Sequence, residues 1–364
     1  MARVVTFGEV MIRYCPPGHL RLSQSMPGTL EATFGGAEVN VAVSIALQGG
    51  DAAFCTALPD NSLTDCFLQD LRKLGVQTDL VSRRSEGRFG SYFVETGANQ
   101  RSGTVTYDRA GATIAVTPPE AYDWSAIFRN ASWFHISGIT PALSALAAET
   151  SIAAVQSARQ AGVRISCDLN FRKKLWNWDS QLRGSELARR TMQRILAGVD
   201  VIIANEEDAE QVLGIQAAHT NVEQGELKVA AYPDVAREII RQFPQVQQVA
   251  ITLRESLSAS HNNWGAMLYD ASSGQAHFAP VDAAGHYAPY AIRNIVDRVG
   301  AGDAFAGGLI FALTTPELSS PESALRYAVA ASCLKHSISG DFNRSSRAEI
   351  EALMRGSGSG RVQR

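Results

Sequence analysis

From residue 132 onward, short apolar runs of strand length alternate with segments of helical period, and this alternation constrains the fold more than any other feature. The runs lie at 132–136, 163–168, 199–204 and 247–253. Helix-period segments at 145–161, 206–213 and 235–243 separate or follow them, with further helices at 303–313 and 323–336. Strands joined through helices pair in parallel, because the crossover packs back onto the same sheet. Upstream, a run at 4–7 stops at Gly8, and a strand pattern at 52–57 precedes a helix at 66–74 closed by Gly75. A helix at 37–47 is closed by Gly49 and Gly50. Residues 266–269 and 275–278 read as a hairpin. The expected fold is α/β, a doubly wound, mostly parallel sheet with helices on both faces. Such sheets bind ligands at the carboxyl ends of their strands.

Two segments break the alternation. Residues 11–34 are rich in Pro, Gly, Ser and Thr and show no helical period; residues 90–95 and 103–107 read as two strands joined by a polar Gly/Asn turn. They predict a small β-sheet lid, inserted from about 11–35 and 88–117 into a single domain over 1–355, with a flexible tail at 356–364. Tyr92, Phe93, Val94 and Val105 put apolar residues on both faces of the lid strands. A small sheet cannot bury both, which predicts a homo-oligomer formed through the lid.

Composition removes several classes. A length of 364 residues with 45% hydrophobic and 19% charged residues is ordinary for a globular core, and a formal net charge of −3 gives no basic field for nucleic acid. Cys15, Cys55, Cys66, Cys167 and Cys333 are scattered and form no CxxC pair. Free thiols in a reducing compartment are expected, not disulfides or zinc. The seven histidines show no metal-ligand spacing. No apolar stretch approaches the roughly 18 residues of a membrane span, and the N-terminus lacks the pattern of a signal peptide. The expected location is the cytoplasm, with no membrane partner.

The chemistry concentrates at 295–308, where Asp297, Gly300-Ala301-Gly302 and Asp303 stand between a strand-like lead and a helix rich in small residues. Glycines let backbone approach a ligand, and a helix start offers free N–H groups and a positive dipole end that suit phosphate. Read alone, Asp303 is an ordinary helix cap. Two further segments change that reading: Phe34-Gly35-Gly36-Ala37-Glu38-Val39-Asn40 at the start of a helix, and Ala204-Asn205-Glu206-Glu207-Asp208 after a strand. There is no GxxxxGK[ST] loop and no GxGxxG opening the first helix, which sets aside P-loop kinases and dehydrogenases.

Together these segments resemble the ribokinase-like (PfkB) carbohydrate kinases, whose C-terminal signature centres on Asp-Thr-x-Gly-Ala-Gly-Asp. Arg298 stands where many members carry Thr. The resemblance implies ATP as co-substrate, magnesium, and a monovalent cation as a further cofactor. It places the anion hole on Gly300, Ala301 and Gly302 and the base that activates the sugar hydroxyl on Asp303. A helix start is expected to keep Asp303 ionised and therefore a weak base, which a loose phosphoryl-transfer transition state tolerates. The resemblance puts Gly35, Gly36 and Asn40 against the sugar, and Asn205 with Asp208 near magnesium through water. The family carries Glu at the last of these positions, so Glu207 competes with Asp208 for the role. It further assigns Thr252, Arg254, His336 and Asn343 to the nucleotide side.

Tyr107-Asp108-Arg109, Tyr92, Asp168-Leu169-Asn170-Phe171-Arg172 and His135–Pro141 resemble the 2-keto-3-deoxygluconate kinase branch. Carried over by position, Tyr92, Tyr107, Arg109, Asn170 and Arg172 contact the sugar acid. A guanidinium fork matches a carboxylate, which a neutral sugar lacks. Arg109-Ala-Gly-Ala-Thr departs from the branch's Arg-x-Gly-Ser-Ala. The expected reaction is phosphorylation of 2-keto-3-deoxygluconate to 2-keto-3-deoxy-6-phosphogluconate. The alternatives are fructose, ribose, 5-keto-2-deoxygluconate or another sugar of the family, and beyond these a non-catalytic sugar sensor.

Overall fold

A computed structural model describes residues 2–205, 207–216 and 229–356. The strands are β1 (Arg3–Phe7), β2 (Met11–Cys15), β3 (Glu31–Gly35), β4 (Asp51–Pro59), β5 (Val81–Arg84), β6 (Gly90–Glu95), β7 (Thr104–Asp108), β8 (Trp133–Ser137), β9 (Arg164–Asp168), β10 (Val201–Ala204), β11 (Gln248–Ser258), β12 (His261–Asp270), β13 (Gln275–Ala279) and β14 (Tyr290–Arg293). The large sheet runs β13-β12-β11-β10-β9-β8-β1-β4-β5, with β14 also paired to β12. From β5 to β11 every pairing is parallel; β12, β13 and β14 close the edge antiparallel.

Period-2 side chains divide the core. Val5 and Phe7 of β1 join one buried cluster, while Val4 faces the other. Helix Ala145–Gln160 contributes Ile152 and Val155 to the first cluster; helices Ala37–Leu47, Ala301–Leu313 and Pro321–Lys335 contribute to the second. Small residues bring these last helices close. A Cβ on Gly307 would stand 2.7 Å from Ser44 Cβ, and one on Gly308 would stand 3.0 Å from Ala331 Cβ.

The lid is a separate sheet in the order β3-β2-β6-β7, built from both segments that break the helix–strand alternation. One of its faces buries Tyr92 and Val94 against Met11; on the other, Phe93 stacks on Tyr14 at 5.2 Å between ring centroids. The tip of the lid rests on the β11–β12 turn, where Ala259 N donates to Asn99 O (2.7 Å) and Asn99 N to Ser260 Oγ (3.0 Å).

Several boundaries differ from expectation. The helix expected at 66–74 is Ser62–Lys73, because the Asn61 side chain caps it by accepting from the amides of Leu63 and Thr64. The helix expected at 206–213 is, in its described part, a short wide turn at Ala209–Leu213, ended by Gly214 in the left-handed region. β11 runs five residues past 253 into mostly polar, exposed or part-exposed positions, and β12 starts at His261 to match it. Helices Gly184–Leu196 and Arg347–Met354 had no counterpart in the sequence reading. Of the tail expected at 356–364, residues 357–364 lie outside the described residues.

Candidate active site

The carboxyl ends of the parallel strands, the lid and the start of helix Ala301–Leu313 enclose a cavity of about 350 Å³. Gly36, Asn40, Tyr92, Tyr107, Arg109, Asn170, Arg172, Asn205, Asp208, Thr252, Arg254, Gly300, Ala301, Gly302, Asp303 and His336 all line it. Gly35 lies just behind the wall; a Cβ there would meet Asp341 Oδ2 at 2.3 Å and the Tyr92 hydroxyl at 2.5 Å. Two candidates are placed elsewhere. Asn343 is buried, donating to Ser44 Oγ (3.2 Å) and accepting from Ser345 N (3.1 Å), so its amide holds loop to helix. Glu207 is off the wall that Asp208 occupies.

The Gly300 turn explains its own sequence. Gly300 has φ +81°, and a Cβ on it would stand 2.1 Å from the carbonyl oxygen of Asp341. It caps the helix, which starts at Ala301 and not at Asp303 as the sequence suggested. The helix's first bond runs from Ala304 N to Gly300 O at 2.8 Å, and Ala301 N already donates to Arg298 O at 3.3 Å. The amides of Gly302 and Asp303 therefore stay unspent, as first-turn amides do. A Cβ on Gly302 would meet nothing within 4 Å, and Gly302 and Asp303 both line the cavity. Asp303 is the third residue of this turn, and its Oδ2 accepts from Asn40 Nδ2 at 2.6 Å. Part of Asp303 faces the cavity, yet burial pushes its pKa up to about 6. The Asn40 bond opposes the rise, Asp341 adds to it, and Arg172 and Lys335 counter it. A carboxylate raised to about 6 by desolvation is still ionised at neutral pH, and it holds a proton more readily than an ordinary Asp, so the weak base expected from the helix start is strengthened by burial.

Across the cavity, Asp168 ends β9 and Asp208 follows β10. Burial raises both pKa values, and for Asp168 the charges of Asp208 and Asp303 raise it further while Arg172 opposes. This surplus of negative charge suits a hard divalent cation such as magnesium. Asp208 Oδ1 accepts from Phe171 N (3.1 Å) and Oδ2 from Asn205 N (3.0 Å). Asn205 Oδ1 caps the same turn, accepting from the amides of Glu207 (2.8 Å) and Asp208 (2.9 Å). Among the described residues no group of three or more His, Cys, Asp or Glu is placed to hold a metal. The carboxylates of Asp168 and Asp208 both line the cavity, hard oxygen donors of the type a hydrated magnesium ion takes. Asp168 was not among the sequence candidates, although a carboxylate at a strand end was the signal.

On the lid side, the Tyr92 hydroxyl donates to Asp341 Oδ2 at 2.7 Å, and its ring lies 5.9 Å from Tyr107. The Arg109 guanidinium stands 5.2 Å from the Tyr107 ring centroid and pairs with Glu9, a buried carboxylate from the loop after β1. Glu9 was not foreseen, because a lone acid after a strand carries no distinguishing pattern. Asn170 takes φ +38°, and its N–H donates to Asp168 Oδ1 at 3.1 Å. That turn aims the chain so that Arg172 reaches the cavity. On the opposite side, Thr252 and Arg254 of β11 share the wall with Asn262 and Trp264 of β12 and with His336. His336 is held neutral by burial, its pKa pushed down to about 4, and meets Trp264 edge-on at 5.2 Å. Asn262 and Trp264 escaped the sequence reading because β12 was expected to begin after them.

Free first-turn amides at the cavity, a buried carboxylate beside them and a lid over the strand ends are the arrangement expected of a phosphotransferase of the α/β class. The comparisons narrow the class to a family. The model of the pfkB family carbohydrate kinases matches residues 1–345, and the chain belongs to that family. It is 33% identical over 361 residues to 2-dehydro-3-deoxygalactonokinase of Haloferax volcanii, covering 99% of this chain and 98% of that protein. The crystal structure of 2-dehydro-3-deoxygluconokinase from Thermotoga maritima superposes with a TM-score of 0.87 at 43% identity, covering 98% of this chain and 100% of that one. Fructokinase from Xylella fastidiosa, solved with bound ATP, shares the fold at a TM-score of 0.73 and 22% identity, covering 98% and 99% of the two chains. The protein is an ATP-dependent sugar kinase with the ribokinase-like fold.

Proposed function

We propose that the chain transfers the terminal phosphoryl group of ATP to the 6-hydroxyl of 2-keto-3-deoxygluconate. The observation that carries the reading is that Asp303 with its unspent amides and two arginines, Arg109 and Arg172, line one cavity. In this reading Gly36 and Asn40 seat the sugar, and the Asn40 amide orients the Asp303 carboxylate. Asp303 takes the hydroxyl proton as the bond from the sugar oxygen to the γ-phosphorus forms and the bond from that phosphorus to the β–γ bridging oxygen breaks, with ADP as the leaving group. The amides of Gly302 and Asp303 receive the charge on the equatorial oxygens, where fixed donors count most. Arg109 and Arg172 bind the substrate carboxylate, with Tyr92 and Tyr107 shaping the lid over the chain of the sugar acid. Asp168, Asp208 and Asn205 would hold magnesium through water, and the ion would neutralise phosphate charge. Thr252, Arg254, Trp264 and His336 form the nucleotide wall. The names of the relatives at 43% and 33% identity support a 3-deoxy keto acid. The second of them favours one further reading, the 4-epimer 2-keto-3-deoxygalactonate, on the same residues.

ADP release measured with ATP and magnesium tests this against 2-keto-3-deoxygluconate, 2-keto-3-deoxygalactonate, 2-keto-gluconate, fructose and ribose. Turnover led by the first compound is expected. A lead by the galactonate establishes the epimer, and a lead by fructose or ribose overturns the role given to the arginines.

A further inference from the structure

The resemblance brings a monovalent cation to this site as a cofactor, and the residues behind the anion-hole turn do not fit one. A cation serving that turn needs oxygen lone pairs beside Gly300. The buried carboxylates there are Asp297, three residues before Gly300, and Asp341, whose backbone abuts it. Both are committed to donors. Asp297 Oδ1 accepts from Val299 N (3.0 Å), and its Oδ2 from Gly340 N (3.1 Å) and Arg13 Nη2 (2.5 Å). Asp341 Oδ1 accepts from Arg13 Nη1 (2.7 Å), and its Oδ2 from the Tyr92 hydroxyl (2.7 Å) and Asn40 Nδ2 (3.4 Å). With three donors on each carboxylate, few acceptor sites remain for a metal ion. One carbonyl of the neighbouring loop is taken as well, since the buried ammonium of Lys335 donates to Ile338 O at 3.0 Å.

Arg13 is 2% exposed, and Asp297 and Asp341 are 3% and 4% exposed, so one guanidinium meets two buried carboxylates, and the buried ammonium of Lys335, which feels both, supplies the second positive charge. A guanidinium is well suited to the task, because its fixed fork bridges two carboxylates that a single ammonium cannot span. Arg13 belongs to β2 of the lid, whereas Asp297 and Asp341 belong to the two loops that pack against the Gly300 turn.

We infer that Arg13, with Lys335 beside it, is the built-in counter-ion of the anion-hole turn: it takes the place of a bound monovalent cation and fixes the turn to the lid. The inference rests on the assignment of the Gly302 and Asp303 amides as the anion hole and of the Asp303 carboxylate as the base. Arg13 touches neither substrate nor phosphate in this scheme; it is a positioning residue.

The decisive measurement is the wild-type rate in potassium, sodium or caesium chloride against tetramethylammonium chloride, at constant ionic strength and fixed magnesium, with ATP as a metal-free salt. Rates within about twofold across the series are expected, and a rise of about fivefold or more with any small cation overturns the inference. Arg13→Ala adds an independent readout. It is expected to lower kcat about a hundredfold with sugar KM within about threefold, and to make the remaining rate respond to potassium by about tenfold, since two carboxylates then face vacant space. A folded Arg13→Ala enzyme with wild-type kcat and no potassium response also overturns it. If the variant does not fold, the wild-type series alone decides. Failure of the underlying assignment is seen separately, as Asp303→Asn retaining turnover.

Discussion

Asp303 combines two properties that pull apart in most carboxylates: it is held by a short bond to Asn40, and burial raises its pKa to about 6. The base must be ionised to accept a proton. The rate kcat/KM for the sugar is therefore expected to fall as pH drops through about 6, with Asp303 controlling the acid limb. Asp303→Asn keeps the volume and removes the base. It should lower kcat by about a thousandfold while changing KM by a few-fold, as a steady-state ADP assay would read. A loss under tenfold would remove Asp303 from the role. The arginines call for a different split. Arg172 lowers the pKa of Asp168, Asp208 and Asp303, so its charge reaches all three carboxylates. Replacing it weakens both substrate binding and the balance around the base. Arg109 is tied to Glu9 and the lid. Arg109→Gln should raise KM for a sugar acid by about tenfold or more and change kcat little, since it acts through binding of the carboxylate. An unchanged KM would detach Arg109 from the substrate.

At the scale of the element, the turn that opens helix Ala301–Leu313 separates folding from function at neighbouring glycines. Gly300→Ala forces a Cβ onto the Asp341 carbonyl at positive φ, so both stability and turnover should fall. Gly302→Ala meets no neighbouring atom, and alanine favours a helix over glycine. Its melting temperature should hold or rise slightly. Turnover should fall about tenfold or more, because the methyl group adds bulk at the cavity wall beside the free amides. Equal loss of stability and activity in both variants would mean that the opening at Gly302 is not where phosphate binds. This turn was legible in sequence because its backbone demands glycine at Gly300, with φ +81° and the Asp341 carbonyl against it, and glycine is visible. The parallel strands were legible for a similar reason: burial on both faces leaves continuous apolar runs, as in Val201–Ala204. What escaped notice depends on partners far along the chain. Arg13 and Asp341 are 328 residues apart, and nothing in the residues around Arg13 announces the pair. The outer halves of β11 and β12 alternate too weakly to read as strands, because they gain their hydrogen bonds from each other and from β14. The wall residues Asn262 and Trp264 were lost with them.

For the whole molecule, buried charge sets how stability depends on pH, and lid exposure sets how copies meet. Glu38 is fully buried where helix Ala37–Leu47 meets the end of β8, accepting from Ser137 N (3.0 Å), Ser137 Oγ (2.7 Å) and Thr140 Oγ1 (3.1 Å). Burial still pushes its pKa up to about 7, with those bonds opposing. The folded protein then holds a proton that the unfolded chain releases, so this group's contribution declines as pH rises from about 4.5 to about 7. The shift corresponds to about 3 kcal/mol, and Glu38→Gln should flatten that part of the stability curve in denaturant titrations. A parallel curve would show that Glu38 stays ionised. The lid raises the second question. β7 is an edge strand exposed along its length, and the Tyr14–Phe93 stack lies half-buried on the lid face away from the Tyr92–Val94–Met11 cluster. An exposed edge beside an apolar face is the kind of surface that proteins cover by pairing, and we propose that a second copy covers it here. Light scattering of the intact chain should give a multiple of 39.1 kDa, and Phe93→Lys should return the mass of one chain with the fold retained. A parent protein that scatters at 39.1 kDa at assay concentrations would leave the lid to close alone, and the lid strands would then serve the cavity without serving assembly.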